Sequence, residues 1–237
     1  FAFYFREKRG VNLFERQIAG ECVKFCAMAI ENSEARTRLN NLAFFDPLTG
    51  LGNRVTLKNR LGIVLQRASE MQRAVAVYHV DISEFRAIND LHGRVVGDMA
   101  LVKVAQLLRS VALDCDLIVR MGSDEFVVVK TETSDDFDSE QFAEAIVSGL
   151  RGRYRIECGE EFMIDVRVGL ANFPRDGEEQ EELLERAELA LLRAKRNGGR
   201  FAMFEPQMEL ERRQRRLLER DVGLAVERGE LAFVFQP

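Results

Sequence analysis

The sequence predicts an α/β sandwich in which a mostly antiparallel central sheet is flanked by helices and preceded by a long N-terminal connector helix. Three observations lead there. Short, nearly continuous apolar runs such as Ala74 to Ile82 and Phe126 to Val129 read as strands buried on both faces. Between them stand segments of helical period, clearest over 98–112, where Leu101, Val104, Ala105 and Leu108 share one face. From the first of the central strands the elements run β-α-α-β-β-α-β-β-α, an order that suits layered α/β packing.

Taken in order, FAFYFRE at the start reads as a strand, Lys8-Arg9-Gly10 as a turn and Asn12 as the N-cap of a long helix. Inside that helix Ile18, Phe25, Asn32 and Leu39 recur every seven residues, with Cys22, Ala29, Arg36 and Ala43 between them. An Asn in such a seam fixes register more than it adds stability, which suits a signalling connector; a single amphipathic helix lying on its own domain is the alternative. The turn-rich stretch Asp46 to Arg54 ends the helix and opens the main domain. A helix over 55–71, the strand Ala74 to Ile82 and a helix over 84–90 follow. Next come a loop containing Gly93 and Gly97 and the helix over 98–112.

Leu117 to Lys130, LIVRMGSDEFVVVK, reads as a hairpin whose tip carries Asp124 and Glu125. Rigid carboxylates at a sheet edge suit a divalent metal, although an ordinary solvated turn has the same look. Beyond it lie a helix over 139–150, strands over 154–158 and 162–171, and a helix over 179–196. From Pro206 the chain becomes an arginine-rich helix and then a short apolar strand, which needs a partner and so marks the threshold of another domain. Arg212, Arg213, Arg215 and Arg216 alternate with Glu205, Glu209, Glu211 and Glu219, the pattern of a solvated face rather than a nucleic-acid patch.

Composition narrows the classes. With 46% hydrophobic and 31% charged residues and a net charge of -5, the 237-residue chain reads as soluble and globular, without wholesale attraction to nucleic acid or an anionic membrane. No run is long enough to span a bilayer and no signal peptide opens the chain, so the cytoplasm is the expected compartment. Cys22, Cys26, Cys115 and Cys158 form no C-x-x-C pair, which argues against zinc and for buried free thiols.

Asp81 closes a central strand beside the hairpin, so adjacent strands bring Asp81, Asp124 and Glu125 to one edge. Such hard oxygen donors bind magnesium, as phosphoryl transfer requires. Arg86 and Lys195 are the candidate phosphate-holding cations, and Asn89 with Asp98 could read a guanine edge. Singly, Asn89 also suits a helix C-cap, Asp98 an N-cap and Lys195 a solvated helix end.

These residues fall within a family pattern. DPLTGLGNR (46–54), DISEFRAIND (81–90), HGRVVGD (92–98), RMGSDEF (120–126), VGLANFP (168–174) and AELALLRAKRNG (187–198) together resemble the GGDEF domains, which act as diguanylate cyclases. The resemblance implies a nucleotidyl-cyclase-like sandwich that condenses two GTP into cyclic di-GMP and releases pyrophosphate. It implies metals (Mg2+ or Mn2+) on Asp81 and Asp124 with the Ile82 carbonyl, guanine on Asn89 and Asp98, and phosphates on Arg86 and Lys195. Glu125 would assist metal binding or deprotonate the attacking hydroxyl. Two GTP-loaded domains face each other in that chemistry, so a homodimer belongs to it. Departures from the pattern are Ser123 for the second glycine of the signature, Ser83 for a second acid, Arg86 for a lysine and Gly199 at a position often basic. Leu113 replaces the arginine of the product-inhibition motif that ends at Asp116, so no feedback site of that type is expected.

The flanks resemble neighbours of that domain. Residues 1–43 are similar to the end of a GAF-like sensor domain with a connector helix, 44–205 to the GGDEF domain, and 206–237 to a linker helix and the start of an EAL phosphodiesterase domain. The expected function is a diguanylate cyclase within a sensor-GGDEF-EAL protein. The alternative is a weakly active or inactive GTP-binding domain that regulates an adjoining EAL domain.

Overall fold

A computed structural model describes residues 13–132, 138–155 and 161–228. The expected first strand, the Asn12 cap, Cys158 and the terminal apolar strand lie outside the described residues. Helix α1 (Leu13–Phe44) leads into α2 (Arg54–Glu70). Asn53 starts α2 by accepting hydrogen bonds from the backbone N–H groups of Val55 and Thr56. One face of α2, with Leu57, Leu61, Leu65 and Ala68, is buried. Strand β1 (Val75–Ile82), α3 (Phe85–His92), α4 (Arg94–Val111), β2 (Leu117–Gly122), β3 (Glu125–Thr131) and α5 (Ser139–Leu150) follow. The chain continues through β4 (Gly152–Arg155), β5 (Glu161–Ile164), β6 (Val166–Phe173), α6 (Gln180–Asn197), β7 (Phe201–Met203) and α7 (Gln207–Glu227).

The main sheet has the order β2-β3-β1-β6-β7, and β4 with β5 forms a small separate ribbon. All neighbours in the main sheet are antiparallel except β6 and β7. This is the α/β sandwich that the sequence predicts. β1 is buried along its whole length because both faces are covered. Ala76, Tyr78, Val80 and Ile82 pack with Phe126, Leu108 and Ile146 under α4 and α5. Val75 and Val77 pack with Leu57, Leu61 and Leu183 under α2 and α6.

Several expectations need correction. Gly97 is not in a loop: α4 begins immediately after Gly93, whose φ of +84° makes the corner between α3 and α4. Gly93 therefore fills the cap positions that Asn89 and Asp98 suited. The strand read over 162–171 is two, broken at Asp165, where the chain leaves the small ribbon for the main sheet. The short parallel strand β7 was not expected at all. Cys22 is exposed and Cys26 and Cys115 are half-buried rather than buried, though burial does push the Cys115 thiol up to about 12, with Asp116 and Asp114 adding to it.

The described seam residues of α1 are uncovered, Phe25 being 67% exposed. The helix meets the domain at its C-terminal end, where the Asn53 amide side chain donates to the Ala43 carbonyl at 3.0 Å. Its described side chains over 13–31 thus do not lie on the domain. At the other end α7 is tied to α6 by Arg186–Glu209 at 2.9 Å and Arg212–Glu185 at 2.6 Å. Arg213, Arg215 and Arg216 stay exposed, as their alternation with glutamates predicts. Among the described residues no helix is long and apolar enough to cross a membrane.

Candidate functional site

The site is built where β1 ends beside the β2–β3 turn. Asp81 pairs across the ladder with Glu125 on β3 and with Arg167 on β6. Ile82 N–H donates to the Asp124 carbonyl at 3.3 Å, which ties the turn to the end of β1. Strand alternation puts Asp81 on the α2/α6 face, opposite to Ile82. There Lys195 of α6 reaches it, with Nζ 2.6 Å from Oδ1. Burial lifts the Asp81 carboxyl above its ordinary value, and Asp124 and Glu125 add to this against the pull of Lys195. The edge is therefore crowded with negative charge.

A close packing contact delivers that lysine. An ideal Cβ at Gly169 on β6 would lie 2.1 Å from the Ala187 carbonyl oxygen and 2.2 Å from the Leu191 nitrogen. Only a glycine lets the α6 backbone approach this near. Ala187, Leu191 and Lys195 follow at four-residue spacing, so the same face of α6 that rests on Gly169 presents Lys195 at the edge.

The tip consists of Ser123 and Asp124, since Gly122 pairs with Glu125. A bulge at Met121 precedes it, where the register shifts between Arg120 and Gly122. Ser123 adopts φ +44°, so the position that departs from the family glycine does require the left-handed region. Arg120 holds it there. Its Nε and Nη2 donate to the Ser123 carbonyl at 3.1 and 2.6 Å, and its Nη1 donates to both oxygens of Asp46 at 3.1 and 3.0 Å. Asp46 also accepts from the Thr49 backbone N–H and hydroxyl. The turn-rich 46–54 segment thus buttresses the hairpin from outside.

The remaining predicted residues lie on the α3–α4 side. Asn89 is half-buried, and an ideal Cβ at Gly97 would fall 2.0 Å from its Oδ1, so the amide fills the space that a side chain at position 97 would need. Asp98 is exposed one residue further on α4. Arg86 is not drawn to the carboxylates: it is 94% exposed and its Nε lies 3.6 Å from Asp90. Ser83 accepts a hydrogen bond from Arg167 at 3.0 Å. Arg200, the cation next to Gly199, pairs with Glu144 at 2.9 Å. Asp116 is occupied in the fold, accepting from Thr131 N–H at 2.7 Å.

The structure therefore pairs Lys195 with Asp81, sets Glu125 opposite Asp81 on the ladder and ties the Asp124 backbone to the end of β1. It adds Arg120, Asp46 and His79, to which sequence reasoning gave no role. His79 is buried one turn of the pleat before Asp81, its Nε2 lying 3.8 Å from Glu125. Asp46 and Arg120 stand inside the motifs DPLTGLGNR and RMGSDEF, which was the available signal.

Comparison with known proteins places the fold in a family. The family described as "Diguanylate cyclase, GGDEF domain" matches residues 43–200. The bifunctional diguanylate cyclase/cyclic di-GMP phosphodiesterase MucR of Pseudomonas aeruginosa is 34% identical over 213 residues, which is 89% of this chain and 30% of that protein. Diguanylate cyclase TpbB of the same species is 31% identical over 174 residues, 71% of this chain and 40% of the relative. The chain thus spans less than half of either. The crystal structure of a sensory box/GGDEF family protein from Caulobacter crescentus superposes with a TM-score of 0.62 at 33% identity, covering 65% of this chain and 99% of the other. The chain belongs to the diguanylate cyclase GGDEF-domain family.

Proposed function

We propose that the chain condenses two GTP into cyclic di-GMP with release of pyrophosphate. The observation that carries this reading is the anionic edge formed by Asp81, Asp124 and Glu125, with the Lys195 ammonium 2.6 Å from Asp81. Asn89 and Asp98 would take the guanine edge, and Lys195 with the freely exposed Arg86 would take the phosphates. Glu125 would assist the metal or accept the proton of the attacking 3′-hydroxyl. One domain offers half of the reaction, so catalysis needs a homodimer, and the exposure of Ile18 and Phe25 in the seam of α1 supports α1 as the element that brings two copies together.

The donor set fits a magnesium or manganese ion. Among the described residues no three His, Cys, Asp or Glu side chains gather into a complete cage. Magnesium commonly takes one or two carboxylates and completes its shell with water and substrate phosphate. Asp81, Asp124 and the Ile82 carbonyl would supply such a partial set of hard oxygens. When bound, the ion neutralises charge on the phosphates and polarises the phosphorus under attack. The protein's own part is to hold base, ribose hydroxyl and phosphate in line and to keep Lys195 at the charged oxygens.

A second reading is a GTP-binding module with little turnover that regulates an adjoining EAL domain, within a protein that also carries a GAF-like sensor. Ser123 at φ +44° favours it, because the tip carries a side chain where the signature has none. Incubation of purified protein with GTP and Mg2+ or Mn2+ decides between them. Cyclic di-GMP that disappears on Asp124→Ala supports the cyclase; tight GTP binding without product leaves the regulator. Product inhibition relieved by Asp116→Ala would contradict the expected lack of a feedback site.

A further inference from the structure

His79 stands two residues before Asp81 on the same face of β1 and is 7% exposed. Its register partners are Val127 on β3 and Gly169 on β6. With Leu57, Val127, Arg54 and Glu125 it lines a cavity of about 700 Å3 between α2 and α6. Neither ring nitrogen makes a hydrogen bond. A buried imidazole in that condition costs stability that a leucine at the same place would not. The group that faces it is Glu125, whose Oε2 lies 3.8 Å from Nε2, a little beyond hydrogen-bonding distance. The Glu125 side chain is 45% exposed, so its carboxylate can close that gap by rotating, without movement of β3.

The ladder gives the contact a purpose. Glu125 lies directly opposite Asp81, and like charges at facing positions repel. Each carboxylate then needs its own partner to fix its direction. Asp81 has Lys195 at 2.6 Å. His79, its Nε2 3.8 Å from the Glu125 carboxylate and on the same face of β1 as Asp81, is placed to do the same for Glu125.

We propose that His79 is a positioning residue for Glu125: a ring N–H donates to the Glu125 carboxylate and fixes the direction in which β3 presents it at the reacting edge. A neutral imidazole suffices. The inference rests on the cyclase reading for its catalytic consequence, but the hydrogen bond itself can be tested without nucleotide or metal. His79 and His92 are the chain's two histidines, so an imidazole nitrogen spectrum of the full chain contains two ring systems, assigned with His92→Gln. The His79 ring N–H is expected to be protected from exchange and to shift on Glu125→Ala. An unchanged His79 spectrum overturns the proposal. In turnover with GTP and Mg2+, His79→Leu is expected to melt at or above the wild-type temperature while kcat falls about tenfold at an unchanged KM. His79→Gln, whose amide still donates, is expected to restore most of kcat. A His79→Leu protein as active as wild type overturns the positioning role. If the wild type makes no cyclic dinucleotide, the cyclase reading falls and the spectral comparison still decides His79.

Discussion

Arg120 forms an ion pair with Asp46 at 3.0 Å, and the same guanidinium clasps the Ser123 carbonyl at the tip of the hairpin. Both side chains are largely buried, at 11% and 17% exposure. The segment that follows α1 is thereby fastened to the turn that carries Asp124. Arg120→Ala leaves the Asp46 carboxylate without its cation and the Ser123 carbonyl without its donors. A loss of about 3 kcal/mol is expected, as for other largely buried pairs broken on one side. Urea unfolding checks it. Turnover should fall further than stability alone explains, because the tip is released; an Arg120→Ala protein with wild-type kcat would show that the clasp is only structural.

The same pair makes stability depend on pH. Burial alone would raise the Asp46 carboxyl, but the Thr49 donors and then Arg120 outweigh it and hold the group below its ordinary 3.8. The unfolded chain therefore takes up the proton first as pH falls. The contribution of Asp46 is complete above 3.8 and is lost as pH drops through the lower folded value. The gap in urea midpoint between wild type and Asp46→Asn should stay constant from neutrality to about pH 5 and close below that. A gap that widens on acidification contradicts the assigned partners.

The sequence made the hairpin, β1 and α6 legible because each has an unbroken apolar or helical period bounded by turn residues. That Asp81 and Glu125 stand on neighbouring strands was legible for the same reason. The α3–α4 corner was not: Gly93 and Gly97 look alike in sequence, yet one turns the chain and the other is a contact surface for Asn89. β5 and β6 read as one strand since both are apolar, and only the choice between two sheets divides them at Asp165. β7 has three half-buried residues and no period to detect. The Arg120–Asp46 pair joins positions 74 apart, a distance at which local pattern carries no information. The exposed Arg86 side chain and its neighbour Asp90 are on one helix turn, so that pairing was legible from the i, i+4 spacing.

Ser123→Gly tests how much the left-handed tip costs. A non-glycine residue in that region loses roughly 1 kcal/mol, and the added freedom of glycine in the unfolded chain returns about half of it. The variant is expected to be more stable by about 0.5 kcal/mol, seen as a higher urea midpoint with an unchanged slope. Arg120 holds the Ser123 carbonyl and not the hydroxyl, so turnover should be no lower than in wild type. A fall in kcat would assign work to the hydroxyl.

Gly169→Ala and Gly97→Ala separate a packing contact that holds the fold from one that sets the Asn89 side chain proposed to meet guanine. At Gly169 the new methyl meets the backbone of Ala187 and Leu191, which no rotamer change can relieve. α6 must lift, taking Lys195 away from Asp81, and a cost of about 3 kcal/mol is expected from overpacking. At Gly97 the methyl meets the end of the Asn89 side chain, which can rotate aside, while alanine inside α4 gains about 1 kcal/mol of helix propensity. Stability should then stay near wild type while GTP affinity falls, because the displaced amide is the group proposed to read the base. Calorimetric titration of GTP beside urea unfolding distinguishes the two variants. Equal affinity of Gly97→Ala and wild type for GTP would remove Asn89 from the guanine site, whatever happens at Gly169.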